Sequence, residues 1–245
     1  MVKKVIIIAS YKEYEALPIL LNSLSTTIDR DTQILIVDDS PQISWQVLKT
    51  SCLNAMGDKN SQIDFSFSAT KSGRGGAVRR GLAFALLNYP EAEIFLECDA
   101  DGSHSAKDIN KMMTYSHQTN ILIGSRYLSS SKIIGWPLSR RIFSKILNLL
   151  IPLLFHLKIS DATNGLRRYD IQSVKIILNY TQRQTGFIYL TEQLLHVSSA
   201  RLEIHEVPIE FINRTVGEST VGVSEIIGSL GGLLDLIIHN QRRSK

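Results

Sequence analysis

Residues 94–105 read IFLECDADGSHS. An apolar start, Ile94-Phe95-Leu96, breaks into acids at alternate positions, Glu97, Asp99 and Asp101, and closes on Gly102, Ser103 and His104. A short apolar run bounded by turn residues predicts a strand buried on both faces. If the strand continues through Asp99 and Asp101, both carboxylates leave on one face. Carboxylates held together there repel one another, and burial sharpens the repulsion. A metal ion would supply the missing positive charge. Two carboxylates are too few for an all-protein cage, so the expected ion draws its other ligands from phosphates and water. That points to a nucleoside-diphosphate substrate.

Working outward, apolar runs alternate with helical patterns. KKVIIIAS, QILIVDD, QIDFSFS, EIFLECDAD and ILIGSRY predict five strands. Helical stretches fall between them at about 13–24, 45–56, 74–87 and 103–116, the last with a capping box, Ser105-x-x-Asp108. Such alternation predicts an α/β fold with a Rossmann-like, mostly parallel sheet covered by helices on both faces. Ligands bind such sheets beyond the carboxyl ends of the strands. Two predicted strands end in acids there, one in Asp38-Asp39 and one in Asp99-x-Asp101. Further on, 138–157 reads as an apolar helix or helix pair with a basic start, 185–199 as a helix, and 201–211 as a strand. Pro208 marks that strand as an edge or a bulge.

The chain has 245 residues and 20% charged side chains, a globular composition with room for one sizeable domain. A net charge of +4, with no basic run interleaved with aromatics, excludes nucleic acid as a main partner. Positive charge gathers instead at Arg140, Arg141 and Lys145, and in a tail of Arg242, Arg243 and Lys245. Cys52 and Cys98 have no metal or redox spacing and read as reduced thiols. No stretch reaches the roughly 20 apolar residues of a membrane span.

The segment KSGRGGAVRRGL (71–82) clusters glycines at a helix start. Such a cluster either aims backbone N–H groups at an anion or permits close helix packing. With it the chain resembles the family-2 glycosyltransferases of the GT-A fold, and among them the dolichyl- or polyprenyl-phosphate mannosyltransferases. The likeness rests on eight motifs in order. They are Ala9-Ser10-Tyr11-Lys12-Glu13, Val37-Asp38-Asp39, the glycine segment with Gly73, Gly75, Gly76 and Gly81, and Asp99-x-Asp101-x-Ser103-His104. Gly124-Ser125-Arg126-Tyr127, the stretch from Gly135-Trp136 to Arg140, Ser160-Asp161 to Arg167, and Glu206-Val207-Pro208 through Arg214 to Gly217-Glu218-Ser219 follow. The resemblance implies a GT-A catalytic domain over 1–220 and an amphipathic helix with its basic tail over 221–245.

It also implies roles. Tyr11 and Glu13, with Asp38 or Asp39, would hold base and ribose of a sugar nucleotide, with GDP-mannose the expected donor. Lys71 and Gly75 would line the same nucleotide-sugar site. Asp99 and Asp101 would hold Mg²⁺ or Mn²⁺ on the diphosphate, which Arg214 would also reach. Where relatives carry a basic residue after Gly-Glu-Ser, this chain has Thr220, so that diphosphate contact is either missing or supplied by Arg74 or Lys71. Arg126, with Arg140 or Arg141, would clamp the phosphate of a polyprenyl phosphate, since a guanidinium offers a fork of donors.

A lipid phosphate is already anionic and needs no general base, whereas a sugar hydroxyl does. The late Glu-Asp pair of hydroxyl-glycosylating relatives is here Glu192-Gln193, which favours the phosphate. Asp161 remains either a base or a residue that orders the site wall. The expected place of action is the cytosolic face of a membrane, held peripherally or through an anchoring partner protein. Two rival readings stand beside this one. A soluble saccharide hydroxyl could be the acceptor, with Asp161 as base, or the chain could be a non-catalytic nucleotide-binding subunit.

Overall fold

A computed structural model describes residues 1–214 and 223–243. The first half alternates as the sequence predicts: β1 (Lys4–Ser10), α1 (Ala16–Ser25), β2 (Thr32–Asp38), α2 (Trp45–Met56), β3 (Ile63–Phe67), α3 (Gly73–Asn88), β4 (Ile94–Asp99), α4 (Ala106–Met113) and β5 (Ile121–Ser125). The second half runs β6 (Lys132–Ile134), α5 (Leu138–Phe155), β7 (Arg167–Asp170), α6 (Ile171–Asn179), α7 (Tyr189–Ser199), β8 (Ile204–Pro208), β9 (Glu210–Ile212) and α8 (Val223–Arg243). Seven strands form one sheet in the order β3-β2-β1-β4-β7-β5-β8, and β6 pairs with β9 in a small second sheet.

The sheet is parallel except at β7, which runs antiparallel to both β4 and β5. Its core explains the unbroken apolar runs. Val5 and Ile7 of β1 face one cluster with α3 and α7, while Ile6 and Ile8 face another with α1, α2 and α4. All four side chains are fully buried, as a strand covered on both faces requires. Cys52 and Cys98 are free and buried in the second cluster. β8 lies at the sheet edge and Pro208 is its last residue, where a missing N–H costs no ladder bond.

β7, β6 and α6 lie outside the expected pattern. Arg167 is fully buried, yet its guanidinium donates to the carbonyls of Asn164, Ala162 and Leu190 at 3.0, 2.7 and 2.7 Å. That coverage of its donors lets an arginine-rich strand sit mid-sheet. The predicted helix or helix pair at 138–157 is one helix, α5, with Pro152 inside it.

The register sets the ligand edge. Ala9 stands between Val37 on β2 and Asp99 on β4. The chain leaving β1 at Ser10 therefore passes between the two acidic strand ends. β4 stops at Asp99, and Asp101 sits in the turn beyond, where Gly102 has a positive φ of 74°. Asp99 and Asp101 thus meet through a turn and not through a continued strand.

Candidate active site

Beyond the strand ends lies a cavity of about 410 Å³. Its wall includes Tyr11, Glu13, Asp39, Lys71, Arg74, Asp99, Asp101, Arg126, Trp136, Arg140 and Arg214, together with residues 185–188 and Ser229 of α8. Most of the residues singled out in the sequence converge here from seven separate segments.

On one side, Lys71 Nζ sits 4.0 Å from the centroid of the Tyr11 ring. Asp39 accepts hydrogen bonds from the N–H and hydroxyl of Ser72, both at 2.7 Å, and pairs with Arg80 at 2.5 Å. Asp38 turns the other way. It is fully buried, and its oxygens accept the N–H and hydroxyl of Ser40 at 2.9 and 3.0 Å. Of the two acids, Asp39 lines the cavity and Asp38 braces the turn.

At the floor, Arg74 Nε donates to Asp99 Oδ1 at 2.5 Å, and Arg214 bridges Asp101 at 3.0 Å and Glu13 at 3.5 Å. Burial acts to raise the Asp99 pKa, but the Arg74 guanidinium outweighs it and holds the carboxyl below its usual range. Burial raises Glu13, against the pull of Arg214. Each acid has thus drawn in a cation. Asp101 Oδ1 accepts the Ser103 N–H at 3.0 Å. Among the described residues Asp99 Oδ2 accepts no hydrogen bond, Asp101 Oδ2 is held by Arg214 and would open to an ion that displaces it, and no third His, Cys, Asp or Glu completes a cage. This donor set fits a Mg²⁺ or Mn²⁺ ion that completes its shell with phosphates and water.

His104 orients this turn from behind. Its Nδ1 accepts the Asp99 N–H at 3.3 Å, Nε2 meets Asn164 Oδ1 at 3.2 Å, and the ring packs edge-on against Phe211. Glu97, the first of the three alternating acids, is fully buried and accepts the Tyr169 and Tyr189 hydroxyls at 2.8 and 2.9 Å. Burial pushes its pKa up.

Across the cavity, Trp136 packs against Phe211 and beneath Arg140, whose guanidinium carbon lies 4.2 Å from the indole centroid. Trp136 is a packed wall residue, only 6% exposed. Arg140 also donates to Asn213 Oδ1 at 3.2 Å. Arg141 instead donates to the Ile133 carbonyl at 2.6 Å and is exposed. The geometry therefore places Arg140, and not Arg141, at the cavity.

Arg126 donates through Nε and Nη2 to the two oxygens of Asp161, both at 2.8 Å, and to Thr163 at 2.8 Å. The N–H groups of Arg126 and Thr163 also donate to Asp161. Four donors fill a fully buried carboxylate that is absent from the cavity wall. Burial alone would raise the Asp161 pKa, but Arg126 holds it below the usual range. Asp161 orders the wall, and its lone pairs are occupied where a base would need one.

Gly75 is likewise a packing residue. Its N–H donates to the Thr185 carbonyl at 3.1 Å, and a Cβ there would meet Tyr189 at 2.7 Å. The Gly75 N–H, expected to face an anion, instead seats α3 against the segment that leads into α7. Arg74, expected as a free diphosphate contact, is committed to Asp99. Glu192 accepts the N–H groups of Arg183 and Gln184, both at 3.0 Å, and the Gln193 side-chain amide meets the Tyr169 hydroxyl at 3.0 Å. Glu192 thereby holds the start of the 183–188 wall, and Gln193 ties α7 to β7. Gly217-Glu218-Ser219 and Thr220, and the side chains of Arg242, Arg243 and Lys245, lie outside the described residues.

The sequence profile of Glycosyl transferase family 2 matches residues 5–179, which carry the acidic turn, the glycine segment, Arg126 and Arg140. The chain belongs to glycosyl transferase family 2. This family-2 glycosyltransferase is 28% identical over 215 residues to an undecaprenyl-phosphate mannosyltransferase of Micrococcus luteus, covering 87% of this chain and 85% of the relative. It is 26% identical over 225 residues to a polyprenol monophosphomannose synthase of Mycolicibacterium smegmatis, covering 91% and 83%. Its fold is similar to that of glucosyl-3-phosphoglycerate synthase from Mycobacterium tuberculosis, solved with Mn²⁺, UDP and glucosyl-3-phosphoglycerate. The TM-score is 0.66 at 12% identity, over 95% of this chain and 79% of that one. The GT-A architecture expected from the motifs is the one observed.

Proposed function

We propose that this family-2 glycosyltransferase is an inverting enzyme that moves a hexose, mannose from GDP-mannose, to the phosphate of a polyprenyl phosphate at the cytosolic face of a membrane. The observation that carries the reading is the pairing of two walls in which, among the described residues, every lining carboxylate is already paired with an arginine. Acids and Arg214 stand on one side, Arg140 and Arg126 on the other, and Asp161 is saturated by Arg126. An acceptor that is already an anion needs orientation and not deprotonation. The two relatives named above act on lipid phosphates by their names, which supports the same choice.

In this reading Tyr11 and Lys71 receive the base, Asp39 and Glu13 the ribose, and Arg214 the diphosphate. Asp99 and Asp101 would hold the Mg²⁺ or Mn²⁺ ion, which when bound neutralises charge on the departing nucleoside diphosphate. Arg140, fixed on Trp136, binds the acceptor phosphate and aims an oxygen at the anomeric carbon. Arg126, held rigid by Asp161, supplies the positive edge beside it. The acceptor test is direct. Labelled mannose should pass to polyprenyl phosphate and not to the matching polyprenol; equal transfer to both would refute the phosphate reading. Arg140→Ala should raise the KM for polyprenyl phosphate roughly 10- to 150-fold, the worth of a charged hydrogen bond, while the KM for donor changes little.

The lipid side of the reading has its own surface. Leu138, Ile142, Ile146, Leu149 and Leu153 recur along α5 at helical spacing and are exposed, Leu149 by 63% and Leu153 by 72%. Phe143, Ser144 and Leu147 on the same helix line the cavity. Leu230, Leu234 and Ile238 form a second exposed stripe on α8. No helix among the described residues is long and apolar enough to cross a membrane. A helix that is apolar outward and basic at its start fits the interface plane, beside the cavity that takes the lipid headgroup. The double variant Leu149→Glu/Leu153→Glu should lose sedimentation with anionic vesicles and keep the native melting temperature. Retained vesicle binding would remove α5 from the lipid contact.

A further inference from the structure

The cavity holds one cation that the proposed transfer leaves without a role. Arg74 is the second residue of α3, and its side chain is only 15% exposed. Nε donates to Asp99 Oδ1 at 2.5 Å, Nη2 donates to the Gly165 carbonyl at 2.9 Å, and Nη1 lies 3.6 Å from Glu97 Oε2. The guanidinium carbon sits 5.5 Å from the centroid of the Tyr189 ring. Gly165 must be glycine for this to happen, since a Cβ there would collide with the guanidinium. Arg74 is thus wedged between α3, the end of β4, the 160–166 loop and α7. Arg214, the other cation at the acids, lies just past β9, is held by Asp101 and Glu13, and lines the same wall.

We infer that Arg74 is a built-in counter-ion of Asp99, cancelling one of the two charges offered to the divalent cation, so that the cation binds weakly to the bare protein and tightly only together with a nucleoside diphosphate. This rests on the nucleotide reading of the cavity. Asp99 and Asp101 carry two negative charges. A dication that displaces Arg214 from Asp101 still meets Arg74, because the clamp of Gly165, Glu97 and Tyr189 holds the guanidinium where it is. Like charges a few ångströms apart in a shielded site repel strongly. The phosphates of the nucleotide restore the negative charge that Arg74 removes. Arg74 acts through Asp99, as a positioning residue that couples metal and nucleotide binding into one event.

The test is Mn²⁺ binding by the full chain, read from the loss of the free Mn²⁺ electron paramagnetic resonance signal, alone and with GDP or UDP. The native protein should bind Mn²⁺ weakly alone and at least about tenfold more tightly with a diphosphate, and Arg74→Met should bind Mn²⁺ alone about tenfold more tightly than native. Arg74→Lys, which keeps the charge, should stay near native. An Arg74→Met protein with native circular dichroism and unchanged or weaker Mn²⁺ affinity overturns the inference. So does a native protein that binds Mn²⁺ as tightly without a diphosphate as with one, a comparison that needs no variant to fold. Failure of both GDP and UDP to bind would instead count against the nucleotide reading, while the nucleotide-free comparison of native and Arg74→Met still decides the counter-ion.

Discussion

Asp101→Ala is expected to lower transfer by roughly 10²–10³-fold, the range seen when one group that stabilises developing charge is removed. The effect should fall on kcat, since the leaving diphosphate gains its charge as the bond breaks. Folding should change little. Arg214 keeps Glu13 as a partner at 3.5 Å, and Asp101 lies in a turn and not in the sheet. Steady-state transfer at saturating Mn²⁺, with a melting curve beside it, checks both halves. Full activity in the variant would remove the metal role from this turn.

Loss of Asp161 is expected to act on stability and not on proton transfer. Removing one partner of a buried, hydrogen-bonded ion pair leaves the other uncompensated and costs about 3–5 kcal/mol. Asp161→Asn should therefore unfold at a markedly lower urea concentration. The pH dependence follows from the depressed pKa of Asp161. Its contribution is complete above the unfolded carboxylate's pKa of about 4 and is lost as pH falls through the lower folded value. The stability gap between native and variant should hold near neutrality and narrow only below about pH 4. Whatever Asp161→Asn protein stays folded should transfer with the native pH profile. A variant of native stability that has lost activity would restore Asp161 as the base and favour a hydroxyl acceptor.

The first half of the fold was legible because burial writes itself into sequence there. Ile6 and Ile8 face one core and Val5 and Ile7 the other, so the strand reads as an unbroken apolar run. β7 could not be found that way. Its Arg167 is buried through bonds to carbonyls 3, 5 and 23 residues away, and no period-two pattern records them. The acidic turn was visible as alternate carboxylates, but their shared face was read one step too far, since β4 ends at Asp99. Motif order brought Tyr11, Lys71, Asp99, Arg126, Arg140 and Arg214 to one cavity. It could not separate Asp39 from Asp38 or Arg140 from Arg141, because neighbouring residues of like chemistry differ only in which way the chain turns. Arg74 was visible as a diphosphate candidate, but its tie to Asp99 was hidden for the same physical reason as β7. Its partners Asp99 and Gly165 lie 25 and 91 residues away.

The most direct test of the central claim is a single transfer experiment. Purified full-length chain is mixed with Mg²⁺, polyprenyl phosphate vesicles and, separately, labelled GDP-mannose, UDP-glucose and UDP-GlcNAc, and label is followed into the organic phase. Lipid-soluble label from GDP-mannose, dependent on the divalent ion, is the expected result. Bound nucleotide with no lipid-soluble label from any donor would contradict the lipid-phosphate acceptor.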